Sequence, residues 1–352
     1  MEEAGASLQA KVAALRQPGA YPGPPPGVDA IETHMSWVFL TPDHAFKLKK
    51  PVRVDSLDFG TLARRRFYCM EELRLNRRLA PSVYLDVVPL RLDPRGAPGL
   101  WAQGPVVDWL VMMRRLPADR MLDSLLATGA ATAGDMRRLA ARLAAFYASL
   151  PPAVHEPEVY RERLAREIAR HEARLCDPEF AVPAAQVRPV CARLRLFLEH
   201  RRELLAERVH RGRIVEGHGD LRPEHIWLGT PLAVIDCLEF SAELRTVDSA
   251  DELAFVALEC ERAGAAGLGR ELLEQFAAAS GDAPAPELIA FYQGLRACVR
   301  AGIALWHLKE PRYHGSPVWR DRTAQYLRLA TGYAGACVGA QPSSSSTIDS
   351  PV

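Results

Sequence analysis

Paired cysteines are missing from this sequence. Its seven cysteines are scattered, with no Cys-x-x-Cys pair, so neither a zinc ribbon nor a disulfide framework is expected. A reducing compartment, the cytoplasm, is the expected location. A strong charge of either sign is also missing. The formal net charge is +1, which provides no general field to attract nucleic acid or an anionic membrane. The N-terminus lacks a basic segment followed by an apolar core, and no stretch is expected to reach the apolar length that spans a bilayer. The pattern Gly-x-x-x-x-Gly-Lys-Ser/Thr occurs nowhere, which excludes a P-loop ATPase as the nucleotide binder. Lysine is scarce against many arginines, yet Lys47, Lys49 and Lys50 fall within four positions. Such a cluster is informative.

What remains is a chain of 352 residues, 48% hydrophobic and 25% charged, which is long enough for one large or two small cores and has the composition of a soluble globular protein. Residues 1–27 read as a leader with a short helix and a Pro/Gly-rich extended linker from Gln17 to Gly27, a tract that cannot continue the helix. From Ile31 the pattern becomes strands. Ser36 to Leu40, a Thr41-Pro42-Asp43 turn and His44 to Lys49 form a hairpin in which Phe46 and Leu48 share one face and Lys47 and Lys49 the other. Taken alone, that second face could simply be solvated. The run Thr61 to Leu79 is helical in pattern. There Glu72 shares its face with Tyr68, Cys69, Leu75 and Leu79, whereas Glu71 lies beside Arg74 and Arg78. A carboxylate on a core-facing stripe is costly unless paired, and Lys47 is the available cation.

The most informative stretch is His218-Gly219-Asp220-Leu221-Arg222-Pro223-Glu224-His225-Ile226-Trp227-Leu228, followed by Val234-Ile235-Asp236. The apolar segments Ile226–Leu228 and Leu232–Ile235 flank a Gly229-Thr230-Pro231 turn signal, which predicts a β-hairpin. A turn centred between Thr230 and Pro231 sets Ile226 opposite Ile235 and His225 opposite Asp236, with Cα atoms about 4.5–5.5 Å apart. Two metal-capable side chains then converge at the mouth of the hairpin, and Asp220 can reach the same place.

The sequence His-Gly-Asp-Leu-x-Pro followed by Ile-Asp resembles the catalytic and metal loops of aminoglycoside phosphotransferase-like enzymes, the small-molecule branch of the protein-kinase fold. Ala45-Phe46-Lys47 likewise resembles the kinase strand whose lysine contacts the α- and β-phosphates. The resemblance implies an α+β, two-lobed protein-kinase-like fold, with a small strand-rich N-lobe over 28–113 and a larger helical C-lobe over 114–335. A disordered, serine-rich tail then closes the chain over 336–352. The resemblance also implies binding of ATP between the lobes, with Mg²⁺ or Mn²⁺, and transfer of phosphoryl to a hydroxyl of an unidentified small molecule. By the same token Asp220 matches the catalytic aspartate and Asp236 a metal ligand. His225 stands where the family has a metal-binding asparagine, and Glu72 holds Lys47. Backbone groups around Met112 and Met113 at the lobe junction would meet adenine. The kinase glycine-rich loop is absent; Glu32-Thr33-His34-Met35-Ser36 stands in its place, so phosphates would meet backbone amides and the Thr33 or Ser36 hydroxyls. Chains of this type are sometimes fused to a P-loop domain, which is not expected here. Asp248 and Asp251 read as structural, with Asp248 or Ser249 capping a helix. Two other readings stay open: a nucleotide-binding pseudokinase without turnover, and a metal-dependent hydrolase built on His218, Asp220, His225 and Asp236.

Overall fold

A computed structural model describes residues 6–54, 57–154, 156–310 and 313–338. Of the tail expected to be disordered over 336–352, residues 336–338 belong instead to the last helix, and the rest lies outside the described residues. In chain order, helix α1 (Leu8–Leu15) precedes strands β1 (Asp29–Glu32), β2 (Ser36–Leu40), β3 (His44–Lys49), β4 (Arg53–Val54) and β5 (Leu57–Asp58). Helix α2 (Leu62–Asn76) follows, then β6 (Tyr84–Leu92), β7 (Pro98–Gly99) and β8 (Val106–Arg114). Next come α3 (Leu122–Ala127), α4 (Ala133–Ala148), α5 (Pro157–Leu175), α6 (Ala184–His200), α7 (Arg202–His210) and β9 (Ile214–Glu216). The hairpin β10 (Ile226–Trp227) and β11 (Ala233–Val234) leads to α8 (Ala242–Arg245) and β12 (Thr246–Asp248). Helices α9 (Ser249–Arg262), α10 (Ala266–Ser280), α11 (Pro286–His307) and α12 (Pro317–Val338) complete the order. The architecture is α+β, an antiparallel sheet followed by a helical lobe. Two compact units result: Met1–Arg142 with His218–Thr246, and Leu143–Gly217 with Val247–Val352.

The first unit is built on a six-stranded sheet in the order β1-β2-β3-β8-β6-β7. Alternation along β3 sorts its side chains as the sequence pattern predicts. Phe46 and Leu48 join a core with Leu15, Tyr21, Phe39 and Leu110, while Ala45 joins another with Cys69, Leu73, Tyr84 and Val111. Helix α2, capped by Thr61 Oγ1 accepting from the Arg64 N–H at 3.2 Å, supplies the second core.

The segment read as a leader and extended linker is instead part of this unit. Leu15, Ala20 and Tyr21 are buried in the sheet core. The Tyr21 hydroxyl donates to the Leu15 carbonyl at 2.6 Å, and the Leu100 N–H donates to the Ala20 carbonyl at 3.0 Å. The physical reason is that a sheet with one face on α2 exposes its other apolar face, and α1 with the Pro/Gly tract covers it. A buried ion triad fastens the cover: Asp108 Oδ2 accepts from Lys11 Nζ at 2.8 Å and Oδ1 from Arg65 Nε at 2.7 Å. Lys11→Met leaves Asp108 still paired with Arg65, so a loss of about 1–3 kcal/mol is expected, measured by urea unfolding. A variant as stable as the parent would show that α1 is dispensable to the sheet.

The second unit is helical. Its core includes Tyr160, Leu164, Phe197, Phe255, Phe291 and Tyr326. Helices α5 and α6 supply part of that core with Tyr160, Leu164, Ile168, Val190, Leu194 and Phe197. Helix α11 is long and apolar enough to cross a membrane by length and composition, contrary to the expectation that no stretch would be. Its apolar window is 78% buried, as in a core helix. Asp248 caps α9, accepting from the Ala250 N–H at 2.9 Å, and is bound by Arg208 at 2.6 Å. Asp251 pairs with Arg296 at 2.6 Å. Both aspartates therefore have structural partners.

Candidate active site

The side chains that matter for chemistry lie within the first unit. Strand β3 is flanked by β2 and β8, so the face carrying Lys47 and Lys49 is fixed, and α2 sets Glu72 against it. Lys47 Nζ lies 2.9 Å from Glu72 Oε1 and 2.6 Å from Asp236 Oδ1. It thus joins the helix to the loop after β11. Burial works to lower the Lys47 pKa, but Asp236 and then Glu72 outweigh it and hold the ammonium well above its ordinary value. Burial would likewise raise Asp236, yet Lys47, followed by His225, keeps its carboxyl far below the usual carboxylate range. The Asp236 side chain retains 44% of its surface, so it is ionised and still reachable.

Asp236 adopts φ +62°, a left-handed conformation that aspartate tolerates better than most residues but that needs support from its surroundings. The support is specific. The Asp236 N–H donates to the Tyr84 hydroxyl at 3.1 Å, the Cys237 N–H to Asn76 Oδ1 at 2.9 Å, and the Leu238 N–H to the His218 carbonyl at 3.1 Å.

On the facing loop, Gly219 has φ +88°, and a Cβ there would meet Leu238 Cδ1 at 3.0 Å and the Leu244 carbonyl at 3.2 Å. Both the conformation and the close approach favour glycine. His218 locks this loop to the strand end: Nε2–H donates to the Ile235 carbonyl at 2.8 Å while Nδ1 accepts from the Asp220 N–H at 3.3 Å. Asp220 Oδ2 accepts from Arg222 Nε at 2.9 Å.

The β10–β11 register differs by one residue from expectation. Ile226 pairs with Val234 and Trp227 with Ala233, because the connection is centred on Thr230 and holds an odd number of residues. The Ile235 N–H accordingly donates to the His225 carbonyl at 2.9 Å. His225 nevertheless approaches Asp236, with Nε2 3.4 Å from Oδ2. Its Nδ1 is 2.9 Å from the Asp220 carbonyl and its Nε2 is 3.1 Å from Arg222 Nη2, a donor. Arginine can only donate, so in the neutral imidazole the proton sits on Nδ1 and the Nε2 lone pair points toward Arg222 and Asp236. An imidazole lone pair beside an ionised, accessible carboxylate fits a divalent cation. Ligand atoms each about 2.1 Å from an ion at right-angle to tetrahedral spacing are about 3.0–3.4 Å apart. This nitrogen-bearing donor set suits Mn²⁺ better than Mg²⁺, which favours oxygen.

Three expected contributors, Ser36, Met112 and Met113, are placed differently. Ser36 is 1% exposed, and its N–H donates to Thr33 Oγ1 at 3.0 Å within the β1–β2 turn, so it presents neither group to a ligand. Met112 and Met113 lie inside the sheet, paired with Phe46 and Ala45 on one side and with Asp86 and Tyr84 on the other. Their backbone groups are committed to the ladder, and past them the N–H groups of Arg114 and Arg115 donate to the Val83 and Asp43 carbonyls at 2.8 and 2.9 Å.

Sequence reasoning missed Lys49, Glu239, Asn76, Tyr84 and Arg222. Lys49 is 0% exposed, with Nζ 2.5 Å from Glu72 Oε2, in contact with Glu239 and 5.0 Å from the Phe59 ring centroid. Two signals were present in the sequence: Lys49 follows Lys47 on the same strand face, and Asn76 follows Glu72 by one helical turn.

No protein-family model matches the sequence. One protein of Mycobacterium bovis and two of Mycobacterium tuberculosis (strains CDC 1551 and H37Rv), all described as uncharacterized, are 33% identical to it over 315 residues. The match takes in 87% of this chain and 59% of each relative, so the chain spans about three fifths of their length. Among solved structures, a choline/ethanolamine kinase family protein from Mesorhizobium loti superposes with a TM-score of 0.55 at 15% identity, over 92% of this chain and 94% of that one. The sheet order, the Lys47–Glu72 pair and this superposition agree, and the chain has the two-lobed, α+β protein-kinase-like fold.

Proposed function

We propose that this protein is an ATP-dependent phosphotransferase acting on a hydroxyl of a small molecule, working in the cytoplasm. The observation that carries the reading is Lys47 bridging Glu72 and Asp236, with His225 beside that aspartate and Asp220 beside His225. In this reading Lys47, held by Glu72, orients the nucleotide phosphates. Asp220 accepts the proton of the acceptor hydroxyl, and Arg222 holds the Asp220 carboxylate in place. Asp236 and His225 would hold a divalent cation, which supplies charge neutralisation for the transferred phosphoryl group. Most of the rate enhancement comes from positioning and electrostatic stabilisation. The fold does not name the acceptor.

The test is a thermal-shift and turnover screen with ATP in Mg²⁺ or Mn²⁺ across hydroxyl-bearing acceptors, amino alcohols among them. Ligands that bind only the folded state raise its midpoint. Wild type should be stabilised more by ATP with Mn²⁺ than with Mg²⁺. His225→Asn should narrow or reverse that preference, since an amide oxygen is a harder ligand than imidazole nitrogen. Unchanged metal preference would place His225 outside the metal shell. Nucleotide binding with no turnover on any acceptor would favour a pseudokinase.

A further inference from the structure

The turn Asp236–Glu239 is tied to α2 and β3 at both ends. At its start, Asp236 is bound by Lys47; at its end, Glu239 is bound by Lys49. The two lysines share one carboxylate, Glu72, with one oxygen each. Two parallel ion strings therefore leave the same glutamate and close on the same turn. Between them Asn76 takes the Cys237 N–H and returns its own amide to the Glu72 carbonyl at 2.9 Å. A kinase-like arrangement needs one lysine on Glu72. The second, Lys49, is 0% exposed and bound by both Glu72 and Glu239.

We propose that Lys49, Glu239 and Asn76 are positioning residues for Asp236. They form a second clamp that keeps the turn wound, so that the aspartate stays in its left-handed conformation with its free oxygen beside His225. This rests on the reading that Asp236 and His225 hold the cation. The physics is that of a site whose ligand conformation is costly by itself, on the order of 1–3 kcal/mol. Releasing the far end of the turn lets Asp236 relax, and cation affinity falls although no ligand has been removed, as when outer partners of metal ligands are lost. The clamp is specific to the turn. Lys47 keeps its contacts to Glu72 and Asp236 on the other string.

Glu239→Gln is the direct test, because it removes the charge at nearly constant shape and leaves Lys49 on Glu72. Binding of Mn²⁺ to the full chain with ATP present is followed by loss of the free-ion paramagnetic resonance signal beyond the loss that the same ATP causes without protein. ATP affinity is measured separately in EDTA, and the unfolding midpoint is recorded for each protein. We expect Mn²⁺ affinity to fall about 10-fold, at the lower end for loss of a group that holds a metal ligand in place, with ATP affinity in EDTA within twofold of wild type. Asn76→Ala releases the same turn at Cys237 and should give a like shift, which keeps the test available if Glu239→Gln does not fold. A lowered midpoint with unchanged Mn²⁺ affinity in a folded variant would overturn the clamp and leave a merely structural role. Absence of Mn²⁺ binding in wild type would instead overturn the metal reading itself, so the two failures are distinguishable.

Discussion

Asp220→Asn is expected to lower turnover by about 10³-fold, within the range that a positioned general base contributes, while ATP affinity stays within twofold. The reason lies in the partners of Asp220. Its carboxylate is held by Arg222 at 2.9 Å, and its backbone by His218. Lys47 has its own carboxylates in Glu72 and Asp236. Asparagine keeps the shape and one acceptor oxygen, so the loop should stay folded; what it loses is the capacity to take a proton. The measurement is kcat and KM for ATP under saturating acceptor, with binding checked calorimetrically. A fall in kcat without a rise in KM for ATP marks an interaction made in the transition state alone. Turnover near wild type would remove Asp220 from the base role.

The second large effect separates two lysines that leave the same strand face. Lys47→Ala is expected to weaken ATP binding with a modest cost in stability, because its side chain borders accessible Asp236. Lys49→Ala should act on stability instead. It leaves Glu72 with one cation and Glu239 with none, and breaking a buried pair by deleting one partner costs about 3–5 kcal/mol. Urea unfolding of both variants, with ATP titrations on each, checks the contrast. Equal stability of the two would show that the buried network carries little energy. The network is also insensitive to pH across a wide window. Glu72 lies below its ordinary value of 4.5, burial being outweighed by Lys47 and Lys49, so its contribution is complete above 4.5 and lost as pH falls through the folded value. Lys47 and Lys49 lie above 10.5, so theirs is complete below 10.5 and lost as pH rises through the folded values.

That contrast between the lysines was not legible in the sequence, and the reason is instructive. Strand alternation says that Lys47 and Lys49 face the same way, but it does not say what covers them. Glu239 comes from a turn 190 residues on. The Lys47–Glu72 pair was legible, because a carboxylate on an apolar helical stripe needs a cation and the chain has few lysines to offer. The His-Gly-Asp loop and Asp236 were legible through motif spacing. The register of the β10–β11 hairpin was not, since a one-residue difference in the turn centre leaves the apolar pattern intact. Met112 and Met113 were read as lobe-junction residues with backbone groups open to adenine, but a single sequence does not say that β8 is flanked on both sides, and flanking removes those groups from use. The Pro/Gly tract excluded a helix correctly; it gave no sign of the sheet face against which Ala20 and Tyr21 pack.

The two ion strings also set an order of synthesis. Lys47 and Lys49 meet Asp236 and Glu239 across 189 and 190 residues, and between them the chain makes Leu143–Gly217, which belongs to the other unit. At about 5–20 residues per second, that interval lasts roughly 10–40 s on the ribosome. Throughout it the nascent sheet and α2 can offer the two lysines one carboxylate, Glu72, where the finished protein offers three. Completion of the charge network therefore waits on a long-range closure, whose entropy must be met before its contacts are gained. The moment at which the first unit becomes whole is timed by the arrival of Glu239, and not by the speed at which its strands or helix form.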